Sequence, residues 1–464
     1  MKVRMTGRHG VATALLALLM ACGGGGGTPP GNGGGGNDPA PVQLATPGQA
    51  VVKVRSQGLA WVALAETART LETPTTPERR LLISHADGRD AAADYRPPAG
   101  WSLLDFALHP SGQISLLLGT DRTLRLLRLS PAGQMLREQD FTDPLVASDP
   151  LIGDAWIARD HQSLLPYYTR DSARLAALGE DVALAFRSGR HAVVLHRLAY
   201  AATGGFTGQW RSLVEPGVYI GARFLTGGSF DPFKSLDHQW RLVMDADPQG
   251  RIAVAVSLDF TDLIEGHSQH FGEALDPRVA NGLLLSQFGA DGQRQGTALI
   301  DTQQRSELHA LRWVGGQVAA AGRVRSRQVS DGWDAYLALV PAGATTAATY
   351  RVLDFEAGDV AFDVVRRTDG RLLLAGSTGY TQNPTGASIS EESKPLLALL
   401  SADGQLQQRI TLTPGPRHNQ LRALAPRGDI GWLTGGMENG PGTHSADSNA
   451  ALLVSDGYLR ELRF

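Results

Sequence analysis

Residues 361–412 read as four short strand segments: AFDVVRR (361–367), the turn TDGR, LLLAGS (372–377), a polar stretch, PLLALLS (395–401), the turn ADGQ, and LQQRITL (406–412). Apolar runs of this length bounded by Asp-Gly dipeptides predict strands joined by tight hairpin turns, because Asp-Gly supplies the backbone twist that flanking strands need. Sliding this template outward, the first-turn glycine recurs as Gly58, Gly112, Gly189, Gly250, Gly316, Gly370 and Gly428. The second turn recurs independently as Ala86-Asp87-Gly88, Pro131-Ala132-Gly133, Ala290-Asp291-Gly292, Pro341-Ala342-Gly343, Ala402-Asp403-Gly404 and Ser455-Asp456-Gly457, with a looser Gly204-Gly205 in the third unit.

Seven such units predict an all-β chain, a seven-bladed β-propeller of four-stranded antiparallel blades, since radial packing leaves only short, protected sheet edges. An all-β sandwich or a pair of stacked barrels is the competing arrangement. Helix competes locally at Trp61–Glu72 and Ser172–Phe186, where apolar residues show some 3.6-residue periodicity. The ring is expected to close either by packing of whole blades or by residues 42–46 adding beside the last strand. The segments Asp369–Gly376 and Leu396–Leu406, with partial matches at Val318–Gly322 and Trp432–Gly435, resemble the delta-60 type repeats of bacterial secreted and lipid-anchored propellers. That resemblance implies architecture and carries no catalytic residues with it.

The first residues give an address. Lys2, Arg4 and Arg8 precede the apolar run Val11–Met20, which is shorter than the roughly 20 residues needed to span a bilayer, so residues 1–21 read as a signal peptide. Leu19-Met20-Ala21-Cys22 resembles the lipobox of bacterial lipoproteins, which implies that Cys22, the sole cysteine, is lipidated. Gly23 in place of an inner-membrane retention Asp implies the outer membrane, with the leaflet open. Residues 23–41 hold ten Gly and four Pro and no large apolar side chain, so residues 22–41 form a tether that cannot repay the entropy of ordering. Residues 42–464 form the single folded domain.

Composition excludes several functions. One cysteine forbids an internal disulfide or a Cys-based zinc site. The formal charge is −3, and loss of the three leader cations brings it to −6, so nucleic acid is not an expected partner. Neither a nucleophile elbow, a His-Glu-x-x-His helix nor a phosphate-cradling glycine loop is present. Asp245–Gly250 resembles the start of a calcium loop, but Val256 stands where the bidentate acid belongs, so a hairpin turn is expected.

The long segments fall on one class of connection. Inserts at 66–78, 259–281, 326–334, 377–395 and 437–449, and crossings at 142–180 and 215–237, all join strands at the same end of the blades. Loops on a rigid scaffold commonly carry binding residues, so this face is the expected functional surface. Trp156, Tyr167, Tyr168, Trp333 and Tyr380 there are candidates for stacking on sugar rings or gripping a peptide. Trp101, Asp181, His238, Glu307, His309, Asp359 and His418 are candidates to ring the channel mouth, where crowded carboxylates and imidazoles shift one another's pKa. In the 259–281 insert, His267 and His270 with Asp259, Asp262 and Glu265 could hold a divalent metal; no cofactor is the leading expectation. The chain is thus expected to be a cell-envelope lipoprotein, a non-catalytic binding or assembly module anchored to the membrane through lipid, with an envelope protein or glycan as partner. A hydrolase or lyase acting on an envelope saccharide at the channel mouth is the alternative.

Overall fold

The computed structural model describes residues 42–67, 78–120, 123–141, 173–188, 192–215, 242–258, 264, 267–268, 270–279, 281–326, 332–356, 358–379, 393–415, 418–440 and 456–463. Twenty-eight strands form seven four-stranded antiparallel sheets, a seven-bladed propeller. The first strands of blades one to six are Gln49–Gln57, Ser102–Leu108, Ala173–Leu178, Leu242–Ala246, Ser306–Trp313 and Val360–Arg366, and each packs on the next around a central channel. His418–Arg427 begins the seventh blade and packs on both Val360–Arg366 and Gln49–Gln57, closing the ring.

Blade-to-blade packing explains the unbroken apolar runs. A sheet covered on both faces cannot alternate apolar with polar residues, and Leu372–Ala375 and Leu396–Leu400 are accordingly buried along their whole length. Strand, not helix, claims both ambiguous stretches within the described residues. Ala60–Thr67 is the second strand of the first blade, and Ala173–Leu178 and Asp181–Ser188 form a hairpin. Burial on two faces overrides the weak helical periodicity.

Two turn assignments shift. In the third blade the first turn is built on Gly179, whose φ is 62°, whereas Gly189 follows the second strand and lies outside the described residues. The repeat has decayed there, and Gly189 fits the template one strand late. In the seventh blade Asp456 and Gly457 are not a turn; they open the third strand, Asp456–Leu462. The fourth strand comes from the other end of the chain: Gln43–Pro47 pairs antiparallel with Asp456–Arg460. Gly457 is required by this crossing, since a Cβ there would sit 1.4 Å from the Gln49 carbonyl oxygen. Glu461, whose side chain is fully buried, pairs with buried Arg427, accepts from the Val42 amide at 3.3 Å and donates its own amide to the Val42 carbonyl at 3.0 Å. The N-terminal strand therefore clasps the ring.

Strand order also places the connections. At the end holding the first-to-second and third-to-fourth turns, no connection exceeds seven residues. All the longer ones, such as 142–172, 216–241 and 259–281, leave from the opposite end. Among the described residues no helix is long and apolar enough to cross a membrane.

Candidate functional site

The channel owes its lining to a repeated irregularity. In five inner strands the ladder to the second strand skips a residue, Val52, Leu104, His309, Phe362 and Arg422 in turn, and the last of these strands skips Asn419 besides. A bulge re-aims the side chain it inserts. All but Asn419 line a central cavity of about 180 Å³, to which every inner strand contributes. A larger cavity of about 440 Å³ continues from it toward the short-turn end, sharing Lys53, Arg55 and Met244 and bounded at its rim by Gln57, Pro110, Gly179 and Pro248.

Charged groups inside the channel serve first as latches between blades. Lys53 Nζ lies 2.5 Å from Asp105 and donates to the Phe106 carbonyl at 2.8 Å. Asp105 also accepts the Leu175 amide of the third blade at 2.9 Å. Arg312 forks onto Asp363 at 2.9 and 2.8 Å, and Asp363 accepts the Leu424 amide of the seventh blade at 3.0 Å. Asp245 accepts the Trp313 amide of the fifth at 2.8 Å. In the second, fourth and sixth blades, then, an inner-strand aspartate accepts a backbone N–H of the next blade, satisfying that donor.

Burial and crowding set the proton affinities. Burial opposes ionisation of Asp105, but Lys53, Arg174 and the Leu175 amide outweigh it and hold the carboxyl below its ordinary range. Burial lowers Lys53 to about 8, with Arg55 and Arg312 adding to the fall against Asp105. Burial, then Arg312, brings Arg55 down to about 10. Arg312 moves upward, because Asp363 more than offsets its burial.

Of the seven residues expected at the channel mouth, the six that are described disperse. Only His309 lines the central cavity. Glu307 forms a two-point pair with Arg323 at 3.0 and 2.7 Å, and its carboxylate lies 3.7 Å from His309 Nε2. Trp101 stands between the first two blades at the long-loop end, with the Arg125 guanidinium 4.1 Å above its ring. Asp181 is at the short-turn end, held by Arg197 at 2.8 Å. His418 is fully buried at the start of its strand, 3.2 Å from Ser393 Oγ. Asp359 is buried and accepts from Thr378 and from the Phe355 and Glu356 amides. Burial raises its pKa to about 6, with nearby Asp354 adding to the rise. Asp334, Asp354 and Asp359 bring one oxygen each within 4.8 Å of one another. His238 lies outside the described residues, as do Trp156, Tyr167, Tyr168 and Tyr380. Trp333 is 5% exposed and stacked under Arg323 at 4.3 Å, so it packs between strands rather than offering a face.

Three described residues of the 259–281 insert, Ile264, His267 and Val279, are buried. Ile264 and Val279 join the apolar cluster between the third and fourth blades. His267 is fully buried, with Nδ1 2.8 Å from Glu215 and Nε2 3.1 Å from Glu273. Both ring nitrogens thus lie within hydrogen-bonding distance of carboxylates. Asp259, Asp262 and Glu265 lie outside the described residues, and His270, which is exposed, stacks edge-on with Phe271. The calcium-like stretch is a hairpin turn in which Asp247 accepts from Arg251 at 2.8 and 2.6 Å.

Lys53, Arg55, Asp105 and Asp363 were not among the residues singled out by sequence. Their signal is a single charge inside an otherwise apolar strand, as in LLDF (103–106) and AFDV (361–364). His109 at the short-turn end is a further one: it bridges the Gly179 carbonyl and Ser115 Oγ at 2.8 Å each, and burial, then Arg128, lowers it to about 4.

No family model and no curated protein matches this chain. Among solved structures it is similar to the β-propeller domain of the Trilobed protease from Pyrococcus furiosus, with 8% identity and a TM-score of 0.44 over 90% of this chain and 96% of that one. The Dos1 propeller is similar at 9% identity and a TM-score of 0.43, over 90% and 94%. Pyrococcus horikoshii acylaminoacyl peptidase is similar at 9% identity and a TM-score of 0.43, over 89% of this chain and 52% of that one.

Proposed function

We propose that this protein is a non-catalytic binding or assembly module of the bacterial cell envelope, held to the outer membrane by lipid on Cys22 and presenting its long-loop end to an envelope protein or glycan. The observation that carries the reading is the segregation of every connection longer than seven residues to one end of the disc. Two-sided drift would have lengthened turns at both ends, whereas a surface used for contact concentrates them. The Lys53–Asp105 and Arg312–Asp363 ion pairs of the channel fit a scaffold role, since each joins one blade to its neighbour.

The test uses the full chain. Cys22→Ser should abolish incorporation of labelled palmitate and release the protein from floated envelope membranes. Chemical crosslinking in the envelope should give a defined adduct that disappears when residues 381–391 are replaced by a short Gly-Ser linker and persists when Asp403→Asn alters a turn at the opposite end. Retained membrane flotation in Cys22→Ser, or an adduct unaffected by the loop replacement, would refute the proposal.

A further inference from the structure

The clasp decides from which end of the disc the N-terminal segment leaves. Every inner strand runs from the long-loop end to the short-turn end, so Gln49, which opens the first of them, stands at the long-loop end. Had the ring closed by whole blades, the segment before Gln49 would have left among the long loops. The strand Gln43–Pro47 reverses this, because it crosses the disc antiparallel to the last strand, Asp456–Leu462.

Register fixes the direction. Pro47 pairs with Asp456, which follows the long connection 441–455, and Gln43 pairs with Arg460. Leu462, two residues on, lies opposite Trp432, just past the short turn 428–430. Val42 is 2% exposed and is bound twice by Glu461, whose carboxylate accepts its amide at 3.3 Å and whose own amide donates to its carbonyl at 3.0 Å. Glu461 in turn pairs with Arg427, the last residue before that short turn. Val42 is thus pinned at the short-turn end.

We infer that, anchored through Cys22, the disc stands with its short-turn end toward the bilayer and its long-loop end away from it. The inference rests on the lipid anchor proposed above and adds where the partner lies: beyond the disc, outside the anchoring membrane. Length decides whether the anchor can impose this. By sequence the twenty residues 22–41 are a Gly-rich tether, for which a root-mean-square reach of roughly 25 Å is expected. The nine-residue inner strand Gln49–Gln57 gives the disc a depth of roughly 30 Å. To lay the long loops on the bilayer, the tether would have to run back along that whole depth from Val42, beyond its typical reach and at a cost in chain entropy. In the inferred orientation the wider cavity of the channel, rimmed by Gln57, Pro110, Gly179 and Pro248, opens toward the bilayer.

The experiment is energy transfer from the full, lipidated chain on phosphatidylethanolamine and phosphatidylglycerol vesicles that carry a rhodamine lipid as acceptor. Cys22 is the sole cysteine, so with lipid on its sulfur an introduced cysteine is the single labelling site. The donor dye goes to the short-turn end in Ala132→Cys or Asp403→Cys and to the long-loop end in Ala99→Cys or Thr413→Cys, all four exposed positions. Transfer about twofold higher from the short-turn pair is expected, because the two ends differ by the roughly 30 Å depth of the disc. Equal transfer from both ends, or stronger transfer from the long-loop pair, would overturn the orientation. Lengthening the tether by about forty Gly and Ser residues should shrink the difference, and an unchanged difference would overturn the tether as its cause. Cys22→Ser separates this outcome from the anchor itself. Flotation and transfer that persist in that variant would refute the anchor and the orientation with it, whereas flotation that needs Cys22 without a difference between the ends refutes the orientation alone.

Discussion

Replacing Asp363 by alanine should loosen three blades at once. Its carboxylate holds the Arg312 fork from the fifth blade, caps the Val364 amide beside it at 3.0 Å, and accepts the Leu424 amide from the seventh. Arg312 and Asp363 side chains are 13% and 7% exposed, so truncation strands a largely buried guanidinium. Breaking such a pair costs about 3–5 kcal/mol, and an amide left without its acceptor about 1–3 kcal/mol, with overlap between the two. A loss of roughly 4–5 kcal/mol is expected. For a domain of about 420 residues, at about 2.1 cal/mol/K per residue, that corresponds to roughly 5 °C in Tm. Urea unfolding followed by tryptophan fluorescence reads the loss directly as a lowered midpoint. The double variant Arg312→Met/Asp363→Ala should recover a large part of it, because no uncompensated charge remains. A single Asp363→Ala variant within about 1 kcal/mol of wild type, or a double variant as unstable as the single one, would refute the latch.

Two further changes follow from local geometry. Because Asp359 holds its proton up to about pH 6 in the folded chain, against an ordinary carboxyl value near 3.8, its contribution to stability is present in acid and is lost as pH rises through 6. At about 1.4 kcal/mol per unit, Asp359→Asn should gain roughly 3 kcal/mol relative to wild type between pH 4 and pH 7 in parallel urea titrations, and a flat difference would contradict the assignment. Gly376→Ala should destabilise by about 1–3 kcal/mol, since its Cβ would lie 1.9 Å from the Val360 carbonyl oxygen, whereas Gly208→Ala, with nothing within 4 Å, should be neutral in the same assay.

Local chemistry made the blade readable before any contact was known. Asp369-Gly370 and Asp403-Gly404 mark hairpins by the positive φ that glycine tolerates, and Leu372–Ala375 declares by its lack of alternation that both faces are covered. Residues near one another along the chain suffice for such inferences, and repetition multiplies them. The clasp is different in kind: Gln43–Pro47 meets Asp456–Arg460 across almost the whole chain, and Gly457, which imitates a turn glycine, is small because another segment passes over it. The channel is harder still. Its charges come from different blades, so Lys53, Arg55, Asp105, Arg312 and Asp363 form a cluster only after the ring has closed. Side-chain spacing along a strand carries no information about which residue a bulge will eject, and the bulge between Leu308 and Ala310 is what brings His309 into the channel.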